Sequence, residues 1–219
     1  MRKDNVMSDK VDAQQGTKEE VMDVLFIIDM SGSMYGEETE AAVVNGFNKV
    51  IAEQRLIPGE VRVSTVLFNN HSKVLHDRVP LSEVKEMEQW DYVPFGSTAL
   101  LDAVKTSLVR LHQKRKGASE LQPLVVIMTD GHENSSRVTT RDEVKAFVTL
   151  LRESGWQFLY FGANVDHFAE ARGLGIEEEA AMAFDVGEKG ISCCMETTSR
   201  TVRALRHPRS RCKLKGFLK

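Results

Sequence analysis

The 219-residue chain is expected to fold as one α/β domain, a mainly parallel sheet doubly wound with helices on both faces. Two observations predict this. Short, nearly continuous apolar runs alternate with segments whose apolar residues recur at helical spacing. That alternation requires crossovers, which are right-handed and make neighbouring strands parallel. The composition, 42% hydrophobic and 28% charged, is that of a globular chain with enough apolar surface for one sizeable core.

The elements follow in order. Val21 to Asp29 (VMDVLFIID) is apolar almost throughout, as a central parallel strand buried on both faces must be. A helix from Glu37 to Arg55 carries Val43, Phe47, Val50 and Ile51 on one face. Gly46, unfavourable at mid-helix, points to a close contact between this helix and the sheet. After the Pro58-Gly59 turn, Val61 to Phe68 reads as a strand, and Lys73 to Val79 as its antiparallel partner across Asn69-Asn70-His71. Leu81 to Gln89 is expected to be a short helical piece. Leu100, Leu101, Val104, Leu108 and Leu111 mark a further amphipathic helix, and Leu124 to Asp130 a second buried strand.

Thr140 to Ser154 is the clearest helix. Thr140-x-x-Glu143 forms a capping box, Val144, Phe147, Val148 and Leu151 line one face, and Gly155 ends it. Trp156 to Gly162 is a third buried strand, Val165 to Arg172 a short helix, and Ala181 to Val186 a last strand. Beyond that the pattern weakens, with a helix at Thr197 to Arg206. We therefore divide the chain into a disordered arm (1–19), the α/β domain (20–187), and an extension (188–219) that is partly helical and then basic. Trp90 and Trp156 are assigned to packing.

A net charge of −3 gives no reason to expect nucleic acid as the main partner. Cys193, Cys194 and Cys212, odd in number and two of them adjacent, read as reduced thiols and not as a disulfide framework. No apolar run approaches the length of a membrane span, and the polar first residues carry no signal-peptide pattern. The expected compartment is the cytoplasm. Oligomeric state is not legible.

In open α/β sheets, ligands bind outside the carboxyl ends of the strands. Three polar clusters fall there: Asp29-Met30-Ser31-Gly32-Ser33, Gly96-Ser97-Thr98, and Thr129-Asp130-Gly131. Their donors are carboxylates and hydroxyls, without Cys or His, which favours a hard cation such as Mg²⁺ or Mn²⁺ over Zn²⁺. Alternate residues Asp29, Ser31 and Ser33 can turn their oxygens inward, because Gly32 and Gly36 let the loop wrap an ion. An ion left partly hydrated would attract an acidic group from another molecule. That is binding, with no nucleophile required.

In that order and spacing, VLFIIDMSGSM, FGSTAL and VVIMTDG resemble the three parts of the metal-ion-dependent adhesion site of von Willebrand factor A domains, the fold shared with integrin I domains. The resemblance covers roughly residues 21 to 186. It implies a Rossmann-like six-stranded sheet in the order 3-2-1-4-5-6, with a short antiparallel third strand at the edge. It also implies Mg²⁺ (with Mn²⁺ or Ca²⁺ as substitutes) held by the hydroxyls of Ser31, Ser33 and Thr98, with Asp29 and Asp130 acting mainly through water. The function implied is non-enzymatic: a protein partner presents Asp or Glu to the metal. Lacking signal and anchor, the chain is most similar to intracellular bacterial members.

Other readings fit less well. An EF-hand loop needs Gly where Met34 stands and a helix where the first strand stands. A phosphoaspartyl enzyme would need a second Asp at Ser31, and a serine hydrolase a G-x-S-x-G turn. A Mg²⁺-dependent phosphotransferase or hydrolase on the same acidic edge is the alternative function. Tyr35, Asn69, Asn70, Phe95, His132 and Glu133 are candidate rim residues for a partner. Asp102 is expected to stabilise the start of its own helix.

Overall fold

The computed structural model describes residues 21–115, 121–163 and 166–206. The expected N-terminal arm, the basic end with Cys212, and Val165 lie outside the described residues. Six strands form one sheet in the order β3-β2-β1-β4-β5-β6. They are β1 (Val21–Asp29), β2 (Glu60–Phe68), β3 (Ser72–Pro80), β4 (Leu124–Thr129), β5 (Gln157–Gly162) and β6 (Ala181–Ala183). Only β3 runs antiparallel. The helices are α1 (Glu37–Arg55), α2 (Leu100–Lys114), α3 (Arg141–Glu153), α4 (His167–Gly173) and α5 (Glu188–Leu205).

Strand periodicity sorts the apolar residues into two cores. From β1, Val24, Phe26 and Ile28 enter the core under α1 and α5, while Leu25 and Ile27 enter the one under α2, α3 and α4. β4 does the same with Leu124, Val126 and Met128 against Val125 and Ile127. Central strands buried on both faces must read as continuous apolar runs, and these do. Because β1 pairs with both β2 and β4, Asp29 lies level with Phe68, and Ile28 with Met128. This register aligns the ends of three loops.

Several expectations need correction. Residues 81–89 form no helix beyond a 3-10 turn at Leu81–Glu83. The Asn48 side chain donates to Met87 O and accepts from Met87 N–H, at 2.9 and 2.8 Å, and Arg55 takes the carbonyls of Leu81 and Val84. Helix α1 thus satisfies the polar groups that a second helix would have paired internally. Strand β3 is not short; its nine residues equal β2 in length. β6 stops at Ala183. Gly46 faces a helix and not the sheet: a Cβ there would lie 2.7 Å from Met195 Cγ of α5. Trp90 is 74% exposed, whereas Trp156 is buried.

α5 begins at Glu188, nine residues before the expected helical segment at Thr197, and packs on α1. Its Ile191, Cys194, Met195 and Val202 belong to the core. Gln54 of α1 donates to Ser199 O at 3.0 Å, and Arg206 donates to the carbonyls of Gln54, Ile57, Pro58 and Gly59. In the segment expected to be helical, Thr198 and Thr201 satisfy buried hydroxyls by bonding Cys194 O and Thr197 O one turn back. Among the described residues, no helix is long and apolar enough to cross a membrane.

Candidate metal centre

Three loops meet at the carboxyl end of the sheet. The first follows β1: Ser31 N–H donates to Asp29 Oδ1 at 2.7 Å, folding the chain back on the carboxylate. Ser31 Oγ lies 3.1 Å from Ser33 Oγ, and Ser33 Oγ donates to Asp130 Oδ1 at 2.7 Å. Thr129, level with Asp29 across β1 and β4, donates its hydroxyl to Asp29 Oδ2 at 2.5 Å. The second loop is tied to the first by Gly32 N–H to Gly96 O (3.0 Å) and Phe95 N–H to Met30 O (3.1 Å). Gly96 adopts φ 76°, and a Cβ there would strike Asn70 Oδ1.

Thr98 is held in place by its own backbone. Its N–H donates to Asn134 Oδ1 at 2.9 Å and its carbonyl accepts from Asn134 N–H at 3.1 Å. Its hydroxyl sits against Gly131, since a Cβ on that glycine would lie 2.7 Å from Thr98 Oγ1. Only a residue without a side chain lets Thr98 approach the Asp130 loop so closely. The sequence-derived donors Asp29, Ser31, Ser33, Thr98 and Asp130 are therefore brought to one place by three separate segments.

The electrostatics of this cluster are unbalanced. Asp29 is fully buried. Burial pushes its carboxyl up to about 6 against the bonds from Thr129 and Ser31, and the nearby Asp130 adds to the rise. Burial also raises Asp130, opposed by the Ser33 bond. Among the described residues, neither carboxylate has a Lys, Arg or His within ion-pair distance. Nor do three His, Cys, Asp or Glu side chains cluster as a metal set anywhere among them. A cation here must therefore draw on hydroxyls as well as on the two carboxylates. The donor set, all hard oxygen and short of positive charge, fits a divalent ion such as Mg²⁺.

Supporting residues escaped the sequence reading. Thr129 fixes the Asp29 carboxylate, and the buried Tyr92 donates its hydroxyl to Asp29 O at 2.6 Å. Thr129 was visible as the residue before Asp130; nothing in the sequence marked Tyr92 or Asn134. The rim also differs from expectation. Tyr35, Asn70, Phe95 and His132 are exposed, and His132 Nδ1 lies 3.8 Å from Glu170 Oε1. Asn69 is buried, with Oδ1 accepting from His71 N–H at 2.9 Å, so it presents nothing to a partner. Glu133 is committed internally: it accepts from the N–H groups of Leu101, Ser135 and Ser136 and from Ser136 Oγ. Asp102 lies in the first turn of α2, as expected, and its carboxylate also accepts from the N–H groups of Arg137, Val138 and Thr139 and pins the loop before α3.

Comparison with known proteins agrees with the fold. The human collagen alpha-6(VI) chain is 23% identical over 177 residues, covering 77% of this chain and 7% of its own length. This chain thus spans only a small part of that relative. The vWF domain of the type V pili tip protein Mfa5 from Porphyromonas gingivalis matches with a TM-score of 0.63 at 12% identity, covering 84% of this chain and 96% of that one. Proximal thread matrix protein 1 from the mussel byssus, solved with a zinc-occupied MIDAS motif, matches with a TM-score of 0.60 at 17% identity, over 84% of this chain and 46% of that one. The family model for the von Willebrand factor type A domain matches residues 23–190, from the first strand into α5 and through all three loops, and the chain belongs to that family.

Proposed function

We propose that this chain is a divalent-metal-dependent protein-binding module. Asp29, Ser31, Ser33, Thr98 and Asp130 would hold Mg²⁺, with Mn²⁺ or Ca²⁺ as substitutes. When bound, the ion supplies an electrophilic position for a carboxylate oxygen of a partner protein. The chain's own groups prepare that position. Thr129 and the Ser31 N–H orient Asp29, Ser33 Oγ orients Asp130, and Asn134 sets Thr98 against Gly131.

The observation that carries this reading is the pair of desolvated carboxylates without a cationic partner among the described residues, joined to hydroxyls from separate segments. A purely structural polar cluster would be neutralised by the protein itself. Membership of the von Willebrand factor type A family supports it, as does the zinc-occupied motif of the mussel protein.

Two measurements test the proposal. Isothermal titration with MgCl₂ should show one site, lost in Asp29→Ala. Partner proteins captured on the immobilised chain in Mg²⁺ should be released by EDTA; capture indifferent to chelation and to Asp29→Ala would overturn the reading. Metal-dependent turnover of phosphate esters, abolished by Asp29→Ala, would reassign the site to phosphoryl chemistry.

A further inference from the structure

Charge is unevenly placed along this chain. Residues 197–219 contain no Asp or Glu and hold eight of the 29 Lys and Arg, which leaves 21 to face all 32 acidic residues in 1–196. Arg200 and Arg203 lie exposed near the end of α5, and among the described residues neither forms an ion pair. Arg206 follows and is tied down, its guanidinium donating to the carbonyls of Gln54, Ile57, Pro58 and Gly59. Residues 207–219, outside the described residues, therefore begin at that turn. They add Arg209, Arg211, Lys213, Lys215 and Lys219, and they interleave these with Leu214, Phe217 and Leu218.

The turn that Arg206 grips stands at the far pole of the domain from the metal loops. Glu60 is level with Val21 where β1 and β2 begin, whereas Asp29 and Phe68 close the same strands at the candidate metal centre. Nine residues of strand separate the two ends, roughly 25 Å. On the turn itself Leu56 is 85% exposed, and Pro58 is exposed beside it. Glu60 is the one acidic residue between Arg55 and Arg62. A large aliphatic side chain set among cations matches the boundary of an anionic bilayer, where apolar groups enter the acyl layer while Lys and Arg stay with the phosphates. Nucleic acid offers the phosphates but no layer that takes Leu56, Leu214 and Leu218.

We infer that this pole docks on an anionic lipid surface. Arg200, Arg203 and the basic residues of 207–219 meet the headgroups, while Leu56 and the apolar residues of the same segment enter the boundary beneath them. Each Lys or Arg held near such a surface strengthens binding roughly fivefold, and the attraction fades as salt rises. The acidic remainder of the chain is repelled by the same surface, which keeps the molecule pole-down. The metal centre then faces away from the membrane, open to a partner in solution. The inference stands apart from the metal reading, since no group of the metal centre takes part.

Co-sedimentation of the full chain with vesicles tests it. In EDTA the chain should sediment with a three-to-one mixture of phosphatidylcholine and phosphatidylglycerol, not with phosphatidylcholine alone, and added NaCl should release it. Lys213→Gln/Lys215→Gln should weaken binding roughly 25-fold, and Arg200→Gln/Arg203→Gln by a similar factor. Leu56→Ser should weaken it about tenfold and leave the salt dependence unchanged. Leu56, Arg200 and Arg203 are exposed, so folding, checked by thermal melting, should persist. Brominated phosphatidylcholine in the vesicles should quench the emission of Leu56→Trp and spare that of the parent, whose Trp90 is 74% exposed. No sedimentation, equal sedimentation with both vesicles, or binding that none of these substitutions weakens overturns the inference. Binding that requires Mg²⁺ would place the lipid at the metal centre, and quenching of the parent would put another face on the membrane; either overturns it as well. Duplex DNA that strips the chain from the vesicles at equal phosphate concentration would reassign the pole to nucleic acid.

Discussion

Thr129 Oγ1 donates to Asp29 Oδ2 at 2.5 Å, joining residues 100 positions apart across the central strand pair. With the Ser31 N–H on Oδ1, both oxygens of Asp29 are oriented before any ligand arrives. Neighbours that orient a metal-binding side chain in this way commonly contribute about 10- to 100-fold in affinity.

Thr129→Val keeps the shape and removes that donor. We expect Mg²⁺ affinity, measured by isothermal titration at pH 7.5, to fall by about 10- to 100-fold. The fold should persist, because the methyl groups occupy the same buried volume. An unchanged affinity would show that Thr129 only fills space.

The pH dependence follows from Asp29, whose carboxyl moves from 3.8 to about 6 on folding. Below both values the folded and unfolded chains are protonated alike. As pH rises from about 4 to about 6, the unfolded chain releases a proton that the folded chain keeps, so stability falls, by about 3 kcal/mol in total. In EDTA, therefore, Asp29→Asn should be more stable than the parent above pH 6 and indistinguishable near pH 3.5. Added Mg²⁺ should raise the parent's melting temperature at pH 7.5, far less at pH 5, and leave the Asn variant unchanged. Thermal melts across this range decide it.

At the opposite end of β1, the buried Asp23 accepts from Arg78 Nε and Nη2, at 2.9 and 3.1 Å, and from Arg115 Nη1. Asp23→Ala leaves two guanidinium groups, each less than a sixth exposed, without that carboxylate. The expected loss is about 3–5 kcal/mol by urea denaturation. A loss below about 1 kcal/mol would mean that water reaches the cluster and screens it.

Gly46 and Met195 set the spacing of α1 and α5. Gly46→Val should destabilise by about 1–3 kcal/mol through overpacking, and Met195→Ala in that background should recover part of the loss. Additive losses in a double-mutant cycle would separate the two positions.

Much of this molecule was legible in its sequence. Continuous apolar runs marked β1, β4 and β5 because a strand covered on both faces has no polar side to display. The Thr140–Glu143 capping box marked the start of α3, and both of its bonds form, Glu143 N–H to Thr140 Oγ1 and Thr140 N–H to Glu143 Oε2. Segments that answer to distant partners were misread. Residues 81–89 look helical until Asn48 and Arg55 of α1 take their backbone groups. Glu188 to Glu196 looks irregular until its apolar residues Ile191, Cys194 and Met195 join the core, with Met195 packed against Gly46 of α1.

Local spacing marked most of the elements in order and the three polar clusters at strand ends, because apolar periodicity and residues at strand ends are properties of neighbours along the chain; the resemblance to von Willebrand factor A domains singled out the five proposed donors among them. Tertiary structure decided which groups support those donors and which are available to a partner. Asn69 and Glu133 are withdrawn into internal hydrogen bonds, while Thr129, Tyr92 and Asn134 hold the donors in place. It also decided that the buried Asp29 and the half-buried Asp130 adjoin without a neutralising cation among the described residues, a matter of desolvation and distance that no linear pattern encodes.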